Sequence, residues 1–198
     1  MFTERQIVDL LTALSGKRPI FHSEADFQHE LAWLLHHTNS QIQIRLEKPL
    51  KGVGEVDIML REDNREFLIE LKYKTRKMNS KAGNEEFALK SHGAQPLGRY
   101  DGLKDISRIV KSKMNGCTIF LTNESQYWNV EPDGNGAHFS LQGGRALQNV
   151  VLKWCDNTKV KSIGKGRVSG ISLAGPYTLK WRQYGSTGSE FCYLLVMV

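Results

Sequence analysis

The chain has 198 residues, 40% of them hydrophobic and 24% charged, which are the values of an ordinary folded domain and exclude extensive disorder. That length supports one substantial core over residues 1–198 rather than two independent domains. Twenty-seven Lys and Arg against 21 Asp and Glu leave a net charge of +6, a balance that favours a polyanionic partner.

Cys117, Cys155 and Cys192 are odd in number, far apart and set among apolar neighbours, so they read as small buried hydrophobes in a reducing, cytoplasmic setting. Asp9 interrupts the first apolar stretch, so no secretory signal is expected. The apolar run 191–198 is too short for a membrane helix and reads as a buried strand.

Ile7, Leu10, Leu11 and Leu14 recur at helical spacing and predict a first helix, closed by Gly16 and Pro19. Ser23 reads as the N-cap of a second helix whose apolar stripe is Phe27, Leu31, Leu34 and Leu35. The period then becomes two: Ile42, Ile44 and Leu46 alternate with polar residues as in a half-buried strand, and Pro49 and Gly52 are expected to turn the chain. Strands over 55–60 and 66–73, joined by a polar turn, form a hairpin candidate.

Residues 74–95 are rich in Lys, Gly, Asn and Ser and read as a basic mobile loop with one helical turn near Phe87. Leu103, Ile106, Ile109 and Val110 mark a helix over about 98–114, followed by a continuous apolar strand over 117–122 suited to a buried, parallel position. Beyond Asn123 the chain is Gly-rich, with strands expected near 137–141, 178–182 and 190–198 and turns at Gly143-Gly144 and over 164–170. The order of elements describes an α/β (α+β) fold, a mixed sheet flanked by helices: a core over about 20–125 and a C-terminal β-rich elaboration over 126–198.

The chemistry sits in the hairpin. Residues two apart on a strand share a face, so Glu70 and Lys72 project together while Ile69, Leu71 and Tyr73 point the other way. Pairing across the turn at Asp63-Asn64 brings Asp57 near Glu70, giving two carboxylates and one ammonium in a small area. Adjacent carboxylates resist joint ionisation unless a cation compensates them, and Mg²⁺ accepts one or two carboxylates while keeping sites for water and phosphate oxygens. The alternative is a solvated Glu and Lys ion pair without function.

Asp57 together with the triplet Glu70-Leu71-Lys72, flanked by hydrophobic strand residues, resembles the PD-(D/E)XK nuclease superfamily, the restriction-endonuclease-like fold. Val56 stands where the family name has proline. The resemblance covers residues 23–122 and implies a Mg²⁺- or Mn²⁺-dependent hydrolase of DNA phosphodiesters. In it Asp57, Glu70 and the backbone carbonyl of Leu71 bind the metal, Lys72 assists the attacking water, and Glu24 of the second helix supports the site, with Glu30 as the competing choice.

Lys74, Arg76 and Lys77, with Lys81, form a basic stretch suited to salt-sensitive phosphate contacts. On the following helix Arg99, Lys104 and Arg108 are further nucleic-acid candidates, with Tyr100, Lys104, Ser107 and Lys111 on one face. Their alternative is a solvated surface in which Asp101 and Asp105 pair locally with Lys104 and Arg108. His29-Glu30 fails as a zinc motif because Trp33 occupies the second His position, and Gly164-Lys165-Gly166 lacks the spacing of a phosphate loop.

Two rival readings come from other classes. One is a non-catalytic module that keeps the nuclease fold and binds nucleic acid or a partner protein. The other is a homodimer assembled through Tyr177, Trp181, Tyr184 and Phe191.

Overall fold

The computed structural model describes residues 2–156, 166–186 and 189–198. Helix α1 (Glu4–Lys17) opens with a capping box in which Thr3 and Gln6 exchange hydrogen bonds, and α2 (Glu24–Thr38) opens on Ser23, whose hydroxyl accepts from the Asp26 N–H at 3.1 Å. Both helices lie on one face of a six-stranded sheet. Their buried residues Ile7, Leu11, Leu14, Phe27, Leu31 and Leu35 form one core with the inward residues of the strands.

The sheet is built from β1 (Gln43–Leu50), β2 (Gly54–Glu62), β3 (Arg65–Lys74) and, after two short strands and a helix, β6 (Asn115–Thr122). The β2–β3 turn has Asp63 in the left-handed region at φ 54°, and Glu62 pairs with Arg65, so the hairpin is tight. Contrary to expectation, Pro49 does not turn the chain but lies within β1. It is tolerated there because β1 is the outermost strand and needs no N–H on its free side.

The segment after β3 is not a loop. It folds as a second hairpin, β4 (Met78–Ala82) and β5 (Glu85–Leu89), paired from Met78↔Leu89 to Ala82↔Glu85. Phe87 and Leu89, two apart and on one face, enter the α1–α2 core. The outer side is fastened by Arg18 and His22, each 2.8 Å from Glu85, and the His22 ring stacks on Phe87 at 4.5 Å.

Helix α3 (Gln95–Ser112), with Pro96 in its first turn, crosses to the other face of the sheet and delivers the chain to β6, which pairs parallel to β3 from Phe67↔Asn115 to Lys74↔Thr122. Gly102 allows that crossing to be close: a Cβ at this position would stand 2.9 Å from the Phe120 ring. The mixed sheet with helices on both faces is the architecture the sequence implies.

The C-terminal third departs most from expectation. The strand expected at 137–141 is instead a 3₁₀ helix, Gly134–Phe139, which follows the short helix α4 (Gln126–Asn129). Short strands β7 (Ala146–Leu147), β8 (Val150–Leu152) and β9 (Ile171–Leu173) follow, and the strand expected over 178–182 is split into β10 (Tyr177–Thr178) and β11 (Trp181–Gln183), which join different sheets. The last strand, β12 (Cys192–Met197), pairs antiparallel with β6, so the six-stranded order is β1-β2-β3-β6-β12-β11: β11 and β12 extend the main sheet, while β7 with β10 and β8 with β9 form small sheets of their own.

Tyr184 and Phe191 are buried in the α1–α2 core, which removes them from the expected dimer surface. Tyr100, Leu103, Phe120, Phe139, Trp154 and Leu194 form the core beneath α3. Cys117 is buried as expected, Cys192 is half-buried, and Cys155 is exposed, against expectation. Gly164 and Lys165, which open the expected 164–170 turn, lie outside the described residues. Among the described residues no helix is long and apolar enough to cross a membrane.

Candidate active site

The β2–β3 ladder runs from Glu62↔Arg65 to Ile58↔Ile69 and stops, whereas β2 continues beside β1 as far as Leu50↔Gly54. The two central strands therefore part at Asp57 and Glu70. Beyond the fork, the N–H groups of Leu71, Tyr73 and Thr75 face the side that β2 has left and need other acceptors.

Three side chains supply them. Asp57 Oδ2 accepts from Leu71 N at 2.5 Å, Glu24 Oε2 from Tyr73 N at 2.7 Å, and His92 Nδ1 from Thr75 N at 3.0 Å. The structure thus places Glu24, not Glu30, beside the triplet; Glu30 lies 3.9 Å from Arg18 on the α1 side. Glu47, in β1, has no ladder partner and sits at φ 50°, and the buried Gln28 side chain donates both to its carboxylate and to the Asp57 carbonyl, each at 2.7 Å.

On the α3 face of the sheet, Glu70 and Lys72 lie together as the alternation requires. Helix α3 brings two further groups that complete a charge network. Lys72 Nζ is 2.9 Å from Asp105 Oδ2 and donates to the Leu71 carbonyl at 2.7 Å. Arg108 Nη1 is 3.1 Å from Glu70 Oε2 and 3.4 Å from Asp105 Oδ1, while its Nη2 donates to the Glu55 carbonyl on the other arm of the fork. Glu70 is 1% exposed and Asp105 4%, so both are taken out of water. Glu70 Oε1 is buried and accepts no hydrogen bond.

The electrostatics follow from burial. Burial, then Asp105, push the Glu70 carboxyl up to about 9 despite Arg108. Asp57 is raised by burial, only partly offset by Lys72 and the Leu71 N–H, and Asp105 is raised by burial ahead of its pairing with Lys72. Burial alone lowers a lysine, but Asp105, Glu24 and Asp57 together hold the Lys72 ammonium above its ordinary range. The site is a cluster of acids that resists full ionisation beside an amine that stays charged.

Asp105 is hidden in the sequence because an acid three residues before Arg108 on a helix looks like a local surface pair. Its pairing with Arg108 is present, but its nearer partner is Lys72. His92 falls in the segment expected to be a loop, where nothing in the sequence sets it apart.

The nucleic-acid candidates divide. Arg99 is 5% exposed, donates to the Gln126 carbonyl at 2.8 Å and lies over the Tyr127 ring, so it is a core residue and not a phosphate contact. The expected helix face fails with it, since Tyr100 and Ser107 are buried. Lys104 donates to the Gly166 carbonyl at 2.8 Å, and Asp101 pairs with Arg167 rather than Lys104. Arg76 is tied to Asn123 and to Glu190 at 2.9 Å. Lys74 at the end of β3, Lys77 just before β4, and Lys81 on the β4–β5 hairpin carry no ion pair among the described residues.

Among the described residues no three His, Cys, Asp or Glu side chains form a group that could hold a metal ion. A hard cation that takes two carboxylates and a carbonyl does not require one. The donors at the fork fit it on two counts: Glu70 Oε1 is an orphaned buried acceptor, and Asp57 commits only Oδ2, so Oδ1 accepts from no group among the described residues. No family model, curated protein or solved structure matches this chain, so what can be said of its chemistry rests on the fork itself.

Proposed function

We propose that this chain is a divalent-metal-dependent nuclease of the PD-(D/E)XK type that hydrolyses phosphodiester bonds in DNA. The observation that carries the reading is the strand fork: Asp57 and Glu70 are the first residues past the last β2–β3 pair, Ile58↔Ile69, Glu70 holds an unpartnered buried oxygen, and Lys72 lies on the same face as Glu70 two residues on. Asp57, Glu70 and the Leu71 carbonyl would hold Mg²⁺ or Mn²⁺, which supplies a lowered water pKa and charge compensation for the phosphate.

The remaining work falls to side chains. Asp105 fixes the Lys72 ammonium 2.9 Å away and keeps it charged, so Lys72 orients the attacking water and donates to the developing phosphate charge. That role differs from proton abstraction, for which an amine would have to be neutral. Glu24 and Asp57 hold the free edge of β3, which fixes the position of the triplet. Lys74, Lys77 and Lys81 supply sequence-independent attraction for the phosphate backbone.

A non-catalytic module on the same scaffold is favoured by one observation, that Lys72 and Arg108 already pair with the acids. The two readings separate in a cleavage assay on labelled DNA with Mg²⁺. The nuclease reading expects scission that is abolished by chelator and by Asp57→Asn, Glu70→Gln and Lys72→Met, each shown to be folded. Scission retained in all three variants, or absent from the wild type at every Mg²⁺ and Mn²⁺ concentration, overturns it.

A further inference from the structure

Arg108 lies where a bound cation would act. Its guanidinium reaches from α3 across the fork, with Nη1 3.1 Å from Glu70 Oε2 and Nη2 on the Glu55 carbonyl, and so bridges the two strands at the place where they separate. The Arg108 side chain is 19% exposed, while those of Glu70 and Asp105 are 0% and 6% exposed, so the arginine forms the outer layer over the acids. A second anchor waits beside it in Asp105 Oδ1, 3.4 Å away and one helical turn back on α3.

We infer that Arg108 is an exchangeable counter-ion of Glu70, displaced when a divalent cation binds there and thereby turned toward the phosphodiester that the cation recruits. The inference rests on the metal-dependent reading above and adds to it an order of events and a substrate-binding group. A divalent ion on Glu70 Oε1 would stand beside the guanidinium on Oε2, and in an interior that screens charges poorly two cations so close repel each other. The arginine keeps a second carboxylate in Asp105 when it leaves Glu70, whereas a divalent ion held by Asp57 and the Leu71 carbonyl needs Glu70 to complete its set, so the arginine gives way.

Asp105 keeps the displaced guanidinium at the rim, and the donors that faced Glu70 then face outward. Guanidinium geometry suits two phosphate oxygens at once. Metal and nucleic acid therefore bind cooperatively, and by linkage each raises the affinity of the other by the same factor. In the metal-free protein Arg108 and Lys72 pair with the buried acids and offset part of the cost of gathering them in one cluster.

The test follows the Arg108 side chain directly. In ¹⁵N-labelled wild-type protein, with the Arg108 Nε–H resonance assigned by its absence from Arg108→Lys, Mg²⁺ is expected to move that resonance along the binding curve seen by titration calorimetry. Glu70→Gln is expected to lose both responses. With a phosphorothioate oligonucleotide as probe, Mg²⁺ is expected to tighten wild-type binding on the order of tenfold and Arg108→Gln binding by less than about threefold.

If Mg²⁺ binds in a Glu70-dependent way while the Arg108 resonance stays in place and Arg108→Gln keeps the full enhancement, the exchange is wrong and the metal site stands. If wild-type protein gives no Mg²⁺ binding at all, the metal reading fails and the exchange falls with it.

Discussion

The Asp57 carboxylate accepts a hydrogen bond from the Leu71 backbone N–H at 2.5 Å, immediately past the last ladder pair between their strands. A side chain thus takes over from a strand at the point where the sheet opens. The acid has two duties, to satisfy a backbone donor and to hold negative charge in a poorly solvated place, and they respond differently to mutation.

Asp57→Asn keeps an acceptor for Leu71 and removes a charge disfavoured by burial and by Glu24 and Glu47. It is expected to be at least as stable as wild type in urea denaturation while losing DNA cleavage. Asp57→Ala leaves the N–H unpaired and is expected to cost about 1–3 kcal/mol. Equal stability of the two variants would show that the hydrogen bond to Leu71 contributes nothing.

Glu24 is expected to follow the same pattern one step along the strand. Glu24→Gln retains the bond to Tyr73 N and should change stability by less than about 0.5 kcal/mol, whereas Glu24→Ala should lose about 1 kcal/mol. Both should reduce cleavage, because both remove the charge beside Lys72.

Stability of the metal-free protein should fall as pH rises from 6 to 9. Glu70 has its folded-state value raised to about 9 from 4.5, so in this window the folded chain binds more protons than the unfolded one, and the slope of unfolding free energy against pH is negative. Asp57 and Asp105 are raised too and carry the same sign. Lys72 is raised from 10.5 and loses its stabilising charge only above this window. Thermal melts in chelator are expected to show a falling Tm across the range, a shallower fall in Glu70→Gln, and a flattened profile with saturating Mg²⁺. A Tm that rises with pH in chelator would contradict the assignment.

The basic residues should separate by mechanism. Lys77→Ala and Lys81→Ala are expected to leave stability within about 0.5 kcal/mol of wild type, and to weaken DNA binding with a salt slope smaller by about one for each phosphate that is no longer neutralised. Arg99→Ala is expected to cost about 1–3 kcal/mol because it strips a buried hydrogen bond and the packing on Tyr127, with DNA affinity per folded molecule unchanged. Denaturation curves and fluorescence anisotropy at several salt concentrations distinguish the two groups.

The hairpin that carries Asp57 and the triplet is legible in the sequence because residues 69–73 alternate, with Ile69, Leu71 and Tyr73 on one face and Glu70 and Lys72 on the other. The parallel strand β6 is legible from its unbroken apolar run, which fits burial on both faces. The β4–β5 hairpin is obscured because Lys, Asn and Gly dominate it, although the spacing of Phe87 and Leu89 already holds the strand period. Strands of two or three residues, such as β7 and β10, are too short for any periodicity to register. Asp105 and His92 are hidden for a different reason: they reach the site only through tertiary placement, one from a helix crossing the sheet and one from the return of a hairpin.

Crystals soaked in Mn²⁺ and measured at the manganese absorption edge test the account most directly. The expected result is an anomalous peak in the β2–β3 fork, within about 2.5 Å of Asp57 and Glu70 carboxylate oxygens and of the Leu71 carbonyl, which Lys72 no longer occupies. A saturating soak that leaves the fork without a peak, with Arg108 still on Glu70, would contradict it.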